Sequence, residues 1–173
     1  GWGALERAQL IVVTRRRAGL AEAEGLAQSL AARRPGIPVA VAHLALARLE
    51  GMLSAQPVEP GALAGKRVVA AAGIADPASF AVQVRASGAH VQLVAYQDHH
   101  SYDATDVARL VRAAAEADYV VVTEKDAVKL RGRWPAGARE PLVAALVVRW
   151  ERNRDAVERA LDAMLAGVPE RTT

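Results

Sequence analysis

From residue 66 to residue 148 one pattern repeats: a short apolar run, a polar turn, then a stretch of helical periodicity. The runs are 66–72 (KRVVAAA), 90–95 (HVQLVA), 119–122 (YVVV) and 142–148 (LVAALVV). Strands separated by helices demand right-handed crossovers, and crossovers of that kind build a parallel sheet covered on both faces. The expected fold class is therefore α/β, with a mostly parallel, Rossmann-like sheet. Asp76-Pro77 opens one of the intervening helices and Gly88 closes it, the usual asymmetry of helix ends. Asp103 supplies a cap for the next helix, which runs to about residue 117.

The first fifty residues read as a separate piece. Residues 8–14 (AQLIVVT) form a short buried strand, followed by Arg15-Arg16-Arg17. Three cations at a strand end can grip phosphate, but a solvated charge run is the better account of them. Residues 18–32 place Leu20, Ala23, Leu26, Ala27 and Leu30 on one helical face, closed by Arg33-Arg34-Pro35-Gly36. Residues 39–46 read as extended, and His43 within them as an ordinary strand residue. Gly51, Pro57, Pro60, Gly61 and Gly65 then interrupt a polar stretch, so 51–65 is expected to be a linker. Four parts follow: 1–50, the linker 51–65, an α/β domain over 66–150, and a C-terminal helix and tail over 151–173. Ala156, Val157, Ala160, Leu161, Met164 and Leu165 share one face of that helix, and 169–173 should fray.

Composition removes several function classes. The chain has no Cys, which excludes disulfides, thiolate nucleophiles and Cys-ligated zinc. No apolar run approaches the roughly 20 residues of a membrane span, and the first residues lack the anatomy of a signal peptide. The reading is a cytosolic chain. Its opening, Gly1-Trp2-Gly3 running straight towards a strand, is expected of the middle of a protein. Aromatic residues make up only 4% of the chain, and the basic residues form no stripe with aromatics between them, so no nucleic-acid partner is expected.

Three strand ends carry polar groups, and in a parallel sheet they share one rim, where ligands bind. The first is Gly73, whose turn into Asp76-Pro77 offers backbone amides to an anion; one glycine is a weak signal, and no phosphate-loop motif occurs in the chain. The second is Thr123-Glu124-Lys125-Asp126. Thr123 and Asp126 fit a capping box, while Lys125 and Lys129 share a helical face. The third, Tyr96-Gln97-Asp98-His99-His100-Ser101-Tyr102, is harder to explain structurally. With Asp103 already available as a cap, Asp98 and both imidazoles are left without a structural role. A carboxylate beside an imidazole suits acid-base work. Adjacent histidines can also hold a metal, although neighbouring side chains usually point apart.

These residues resemble the C-terminal half of the tetraacyldisaccharide 4'-kinase family, the lipid A 4'-kinases of Gram-negative bacteria. Val68-Val69-Ala70-Ala71-Ala72-Gly73-Ile74, with Pro77 and Phe80, is similar to the family's V-x-A-x-A-G-I-x-x-P-x-x-F segment. Asp98-His99 matches its D-H turn, and Thr123-Glu124-Lys125-Asp126-Ala127-Val128-Lys129 its T-E-K-D-A-V-K segment. The stretch from Leu5 to Arg15 is similar to a family strand. Order and spacing agree from about residue 5 to residue 150.

The resemblance implies that 1–50 is the end of a P-loop kinase core and 66–150 the smaller second domain. It implies ATP-dependent phosphorylation of the 4'-hydroxyl of tetraacyldisaccharide 1-phosphate, giving lipid IVA at the inner face of the cytoplasmic membrane. ATP and Mg2+ would be held mainly by an N-terminal core carrying the phosphate loop, and this chain alone would be inactive. The partners implied are that core, the acylated disaccharide and, through the whole protein, the membrane surface. His99 would face the catalytic Asp of the core, with Asp98 orienting it; Gly73 and Lys125 would lie at the rim; no metal ligand is assigned. His100 is outside the family pattern and takes no role. Two alternatives remain: a DHH-type metal-dependent phosphoesterase built on Asp98-His99-His100, and a non-catalytic domain descended from the kinase.

Overall fold

The computed structural model describes the backbone of residues 2–166 and the side chains of residues 5–166, so the expected frayed tail lies outside the described residues. The chain divides into two compact units, Ala45–Val147 and a discontinuous one made of residues 1–44 and 148–173.

In the larger unit the expected alternation appears as written. Strands β4 (Arg67–Ala72), β5 (His90–Ala95), β6 (Tyr119–Thr123) and β7 (Leu142–Arg152, which continues into the other unit) alternate with α2 (Pro77–Arg85), α3 (Ala104–Glu116) and α4 (Glu124–Leu130). The order is β7-β6-β4-β5, and all three pairings are parallel, with Val68 opposite Val91, Val68 opposite Tyr119, and Val121 opposite Leu142. β4 is flanked by strands on both sides and buried from Val68 onward, as its unbroken apolar run demands. Its side chains alternate between faces. Val69 and Ala71 pack with Val107, Leu110 and Ala114 of α3, and with Ala127 and Leu130 of α4. Val68, Ala70 and Ala72 pack with Phe80 and Val84 of α2. Helices therefore cover both faces, and the fold is the α/β class expected.

Each helix start is chemically specified. Asp76 accepts from Ser79 N at 3.0 Å with Pro77 behind it. Asp103 accepts from Asp106 N at 2.9 Å while Asp106 accepts from Asp103 N at 3.2 Å, a complete capping box. Thr123 accepts from Asp126 N at 3.2 Å.

The expected linker is different. Residues 51–65 lie inside the larger unit, and the division of the chain falls at 44/45 and 147/148. β2 runs over Val39–Gly51, longer than the expected 39–46, because Leu46 and Leu49 continue into the core. β3 (Pro57–Val58) pairs antiparallel with it, and Met52 and Leu63 are fully buried. Pro57 lies in β3 and Pro60 and Gly61 in a short 3-10 turn, and Met52 and Leu63 anchor an otherwise largely exposed stretch. The Glu140 carboxylate accepts from the amides of Leu53 and Ser54, and a Cβ on Gly51 would collide with the side chains of Ser54 and Glu140.

In the smaller unit β1 (Ile11–Arg15) pairs parallel with β2, Ile11 opposite Val39. α1 (Leu20–Arg33) brings Leu30 onto Ile11 and Val39. α5 (Arg154–Ala166) carries the expected apolar face, but only Val157 is buried; Leu161, Met164 and Leu165 are exposed. No helix of the described residues is long and apolar enough to cross a membrane.

Candidate functional site

The three strand ends of the larger unit meet at one rim, and a buried carboxylate joins them. Asp126, with no exposed surface, accepts from Gly73 N at 3.1 Å and from the Thr123 hydroxyl at 2.6 Å. The Gly73 carbonyl in turn accepts from His99 N at 3.2 Å. Gly73 is needed here for space. A Cβ would stand 3.1 Å from Asp126 Oδ1, 3.2 Å from the His100 Cβ and 3.3 Å from the Gln97 carbonyl. Asp126 thus does more than start a helix: its charge accepts a backbone amide from the neighbouring strand's turn. Charge-assisted bonds of this kind contribute about 1.5–3 kcal/mol each.

Around this carboxylate the turn after β5 folds in. Tyr102 is buried, and burial first, then the nearby Asp126 charge, push its phenol well above the ordinary value. It stays protonated. Tyr96, His100 and Tyr102 form an aromatic cluster: His100 stacks on Tyr96 at 4.7 Å between ring centres and meets Tyr102 edge-on at 5.1 Å. His100 Nε2 lies 2.6 Å from Asp106 Oδ2. Burial alone would raise the Asp106 carboxyl, but the bonds from His100 and from the Asp103 amide outweigh it, and the group sits below its ordinary value. Lys129 Nζ donates to the His100 carbonyl at 3.0 Å.

His99 is the opposite case. Its side chain is 82% exposed, and its backbone has φ 59°, a left-handed conformation that costs a non-glycine residue on the order of 1–3 kcal/mol. Asp98 Oδ1 accepts from His99 N at 3.0 Å, whereas the ring nitrogen is 3.9 Å from Asp98 Oδ2, beyond hydrogen-bond range. Asp98 and His100, expected to lack a structural role, both have structural contacts: Asp98 accepts from the His99 amide, and His100 anchors the turn on α3. The second oxygen of Asp98 stands at long ion-pair distance from the His99 imidazole. Lys125 is exposed on α4.

The two imidazoles diverge, as adjacent side chains should. Among the described residues no three of His, Asp and Glu converge in a way that could hold a metal ion.

The profile of a family described as tetraacyldisaccharide-1-P 4'-kinase matches residues 1–166. This chain belongs to that family. Curated relatives carry the name tetraacyldisaccharide 4'-kinase. One from Anaeromyxobacter sp. (strain K) is 40% identical over 77% of this chain and 36% of its own length. One from Geobacter metallireducens is 36% identical over 94% of this chain and 46% of its own. The match thus spans between a third and a half of the length of these two relatives. A solved structure, described as an "apo" form of LpxK from Aquifex aeolicus in complex with ATP, shares the fold. Its TM-score is 0.51 at 17% identity, covering 96% of this chain and 44% of that one.

For this 4'-kinase family member the sequence brought Gly73, Asp98-His99 and Thr123-to-Asp126 to one rim, and the structure joins them there. It missed His100, Asp106, Tyr102 and the bridging role of Asp126. A signal for Asp126 existed: a carboxylate within a segment matching T-E-K-D-A-V-K needs more than a helix start to explain it. The Asp103-x-x-Asp106 spacing marked a capping box, but nothing local revealed that the second carboxylate would also hold an imidazole.

Proposed function

We propose that this chain is the C-terminal part of a lipid A biosynthesis kinase that uses ATP to phosphorylate the 4'-hydroxyl of tetraacyldisaccharide 1-phosphate, giving lipid IVA at the inner face of the cytoplasmic membrane. Family membership supports the reaction class. The observation that carries the chain's own part is His99: an exposed imidazole on a strained, firmly anchored backbone at the strand-end rim. Backbone strain of this kind persists where the surroundings over-determine it, and it clusters at functional sites.

In this reading His99 stands towards a catalytic carboxylate supplied by the N-terminal core, which also carries the phosphate loop and holds ATP and Mg2+. Phosphoryl transfer depends chiefly on positioning and charge stabilisation, and an imidazole beside the reacting carboxylate serves both. The test is steady-state kinetics on the complete coding sequence. His99→Ala should leave the melting temperature within about 2 °C of wild type, because an exposed turn residue adds little to stability. Its kcat should fall roughly 10²–10⁴-fold with KM little changed. Wild-type kcat in that variant would remove His99 from the reaction. Residues 1–173 alone should show no micromolar ATP-Mg2+ binding by calorimetry; such binding would contradict the placement of the nucleotide upstream.

A further inference from the structure

His99 projects freely, yet the backbone beneath it is held from both sides. On one side His99 N donates to the Gly73 carbonyl and to Asp98 Oδ1. On the other, His100 N donates to the Gln97 carbonyl at 3.1 Å, and its own carbonyl accepts from Lys129. The strongest tether is the His100 ring. It is one-quarter exposed, bonded to Asp106 and wedged between Tyr96 and Tyr102. Asp106 Oδ2 also accepts from Asp103 N, so one oxygen atom ties the turn to the first turn of α3.

We infer that His100 is a positioning residue: by pinning the turn to Asp106 and Tyr96 it holds His99 in its left-handed conformation, and so fixes where the His99 imidazole stands. The inference rests on the reading of His99 given above for the kinetic consequence, but its structural half stands apart from that reading. One planar peptide unit joins residues 99 and 100, so anchoring His100 holds the C-terminal end of the His99 backbone while the Gly73 carbonyl holds its N–H. Without the lock, the C-terminal side of the left-handed residue keeps only the Lys129 bond to the His100 carbonyl and the backbone bond to Gln97, and the chain relaxes to commoner conformations.

Two substitutions separate a positioning role from simple packing. His100→Leu keeps bulk against Tyr96 but removes the bond to Asp106. His100→Gln places an amide N–H where Nε2 was and keeps that bond. Backbone 15N relaxation on residues 1–173 reads the effect directly. The His99 amide should have an order parameter near 0.85 in the wild type and in His100→Gln, and below about 0.6 in His100→Leu. Thermal unfolding of the three proteins controls for global damage. In the complete enzyme, kcat of His100→Leu should fall about 10- to 100-fold at unchanged KM, with His100→Gln within about threefold of wild type. An ordered His99 amide in His100→Leu overturns the inference, and so does equal loss of kcat in the two variants. If His99→Ala is neutral while His100→Leu still frees the His99 amide, the catalytic reading of His99 fails and the positioning role stands.

Discussion

Each unit of this protein holds one partly buried imidazole against a carboxylate, and the two arrangements differ in what else the carboxylate binds. In the smaller unit Glu151 takes Arg15 on both oxygens, with Arg15 Nε 2.7 Å from Oε2. His43 Nδ1 stands 3.1 Å from the same carboxylate, at ion-pair distance but without hydrogen-bond geometry. In the larger unit Asp106 has no arginine in hydrogen-bond contact; its partners are His100 and the Asp103 amide. The first carboxylate is paired with an arginine near the ends of β1 and β7, and its histidine adds one further contact. The second takes an imidazole, and that imidazole lies within a turn at the rim. The same pair of residue types thus makes a structural clamp in one place and a support for a site in the other. The difference lies in the cation that completes the set.

The comparison can be tested by removing its parts in turn. Glu151→Gln should have the largest effect on stability, because Arg15 is left with its charge only one-quarter exposed and without its bidentate partner. Loss of charged hydrogen bonds predicts about 1.5–3 kcal/mol, measurable by urea unfolding. Asp106→Asn should cost less, about 0.5–2 kcal/mol, as expected when a cap is weakened. It should, however, lower kcat in the complete enzyme, which Glu151→Gln should not. Equal effects of the two on kcat would erase the distinction. His43→Gln should be smallest, within about 1 kcal/mol, because the Arg15 pair survives it.

A pH titration sharpens the same contrast. The Glu151 carboxyl is held below its ordinary 4.5, first by the bond from Arg15, and the Asp106 carboxyl below its ordinary 3.8, where His100 and Asp103 outweigh burial. Both are depressed in the folded state. Their stabilisation is therefore complete above those ordinary values and is lost as pH falls through the lowered ones. Unfolding free energy measured downward from about pH 5 should decline in the wild type and decline less steeply in Glu151→Gln. An unchanged slope in that variant would deny Glu151 its depressed value.

Much of this was legible in the residues because the information is local. Apolar runs of five or six with turns between them specify strands, and Asp76-Pro77, Asp103 and Thr123 specify helix starts through bonds spanning three residues. The parallel rim follows from the alternation, which is why Gly73, His99 and Thr123 could be placed together. What could not be read depends on distant partners. Glu140 pins Leu53 and Ser54 from 87 and 86 residues away, turning an apparent linker into packed surface. Asp126 reaches Gly73 across 53 residues, and the choice between His99 and His100 turned on which way two adjacent rings point.

The discontinuity of the smaller unit has a consequence for how the protein is made. Glu151 follows Arg15 by 136 residues. At ribosomal rates of about 5–20 residues per second, the wait between them is on the order of ten seconds. During that interval the whole of Ala45–Val147 has emerged and, with the β4–β5, β4–β6 and β6–β7 pairings formed among its own residues, can begin to condense. Among the described residues, β1 and α1 meanwhile share the small cluster around Ile11, Leu30 and Val39. Nascent chains stalled before residue 151 should present a finished insert beside an unfinished host, the window in which a chaperone would find apolar surface to grasp.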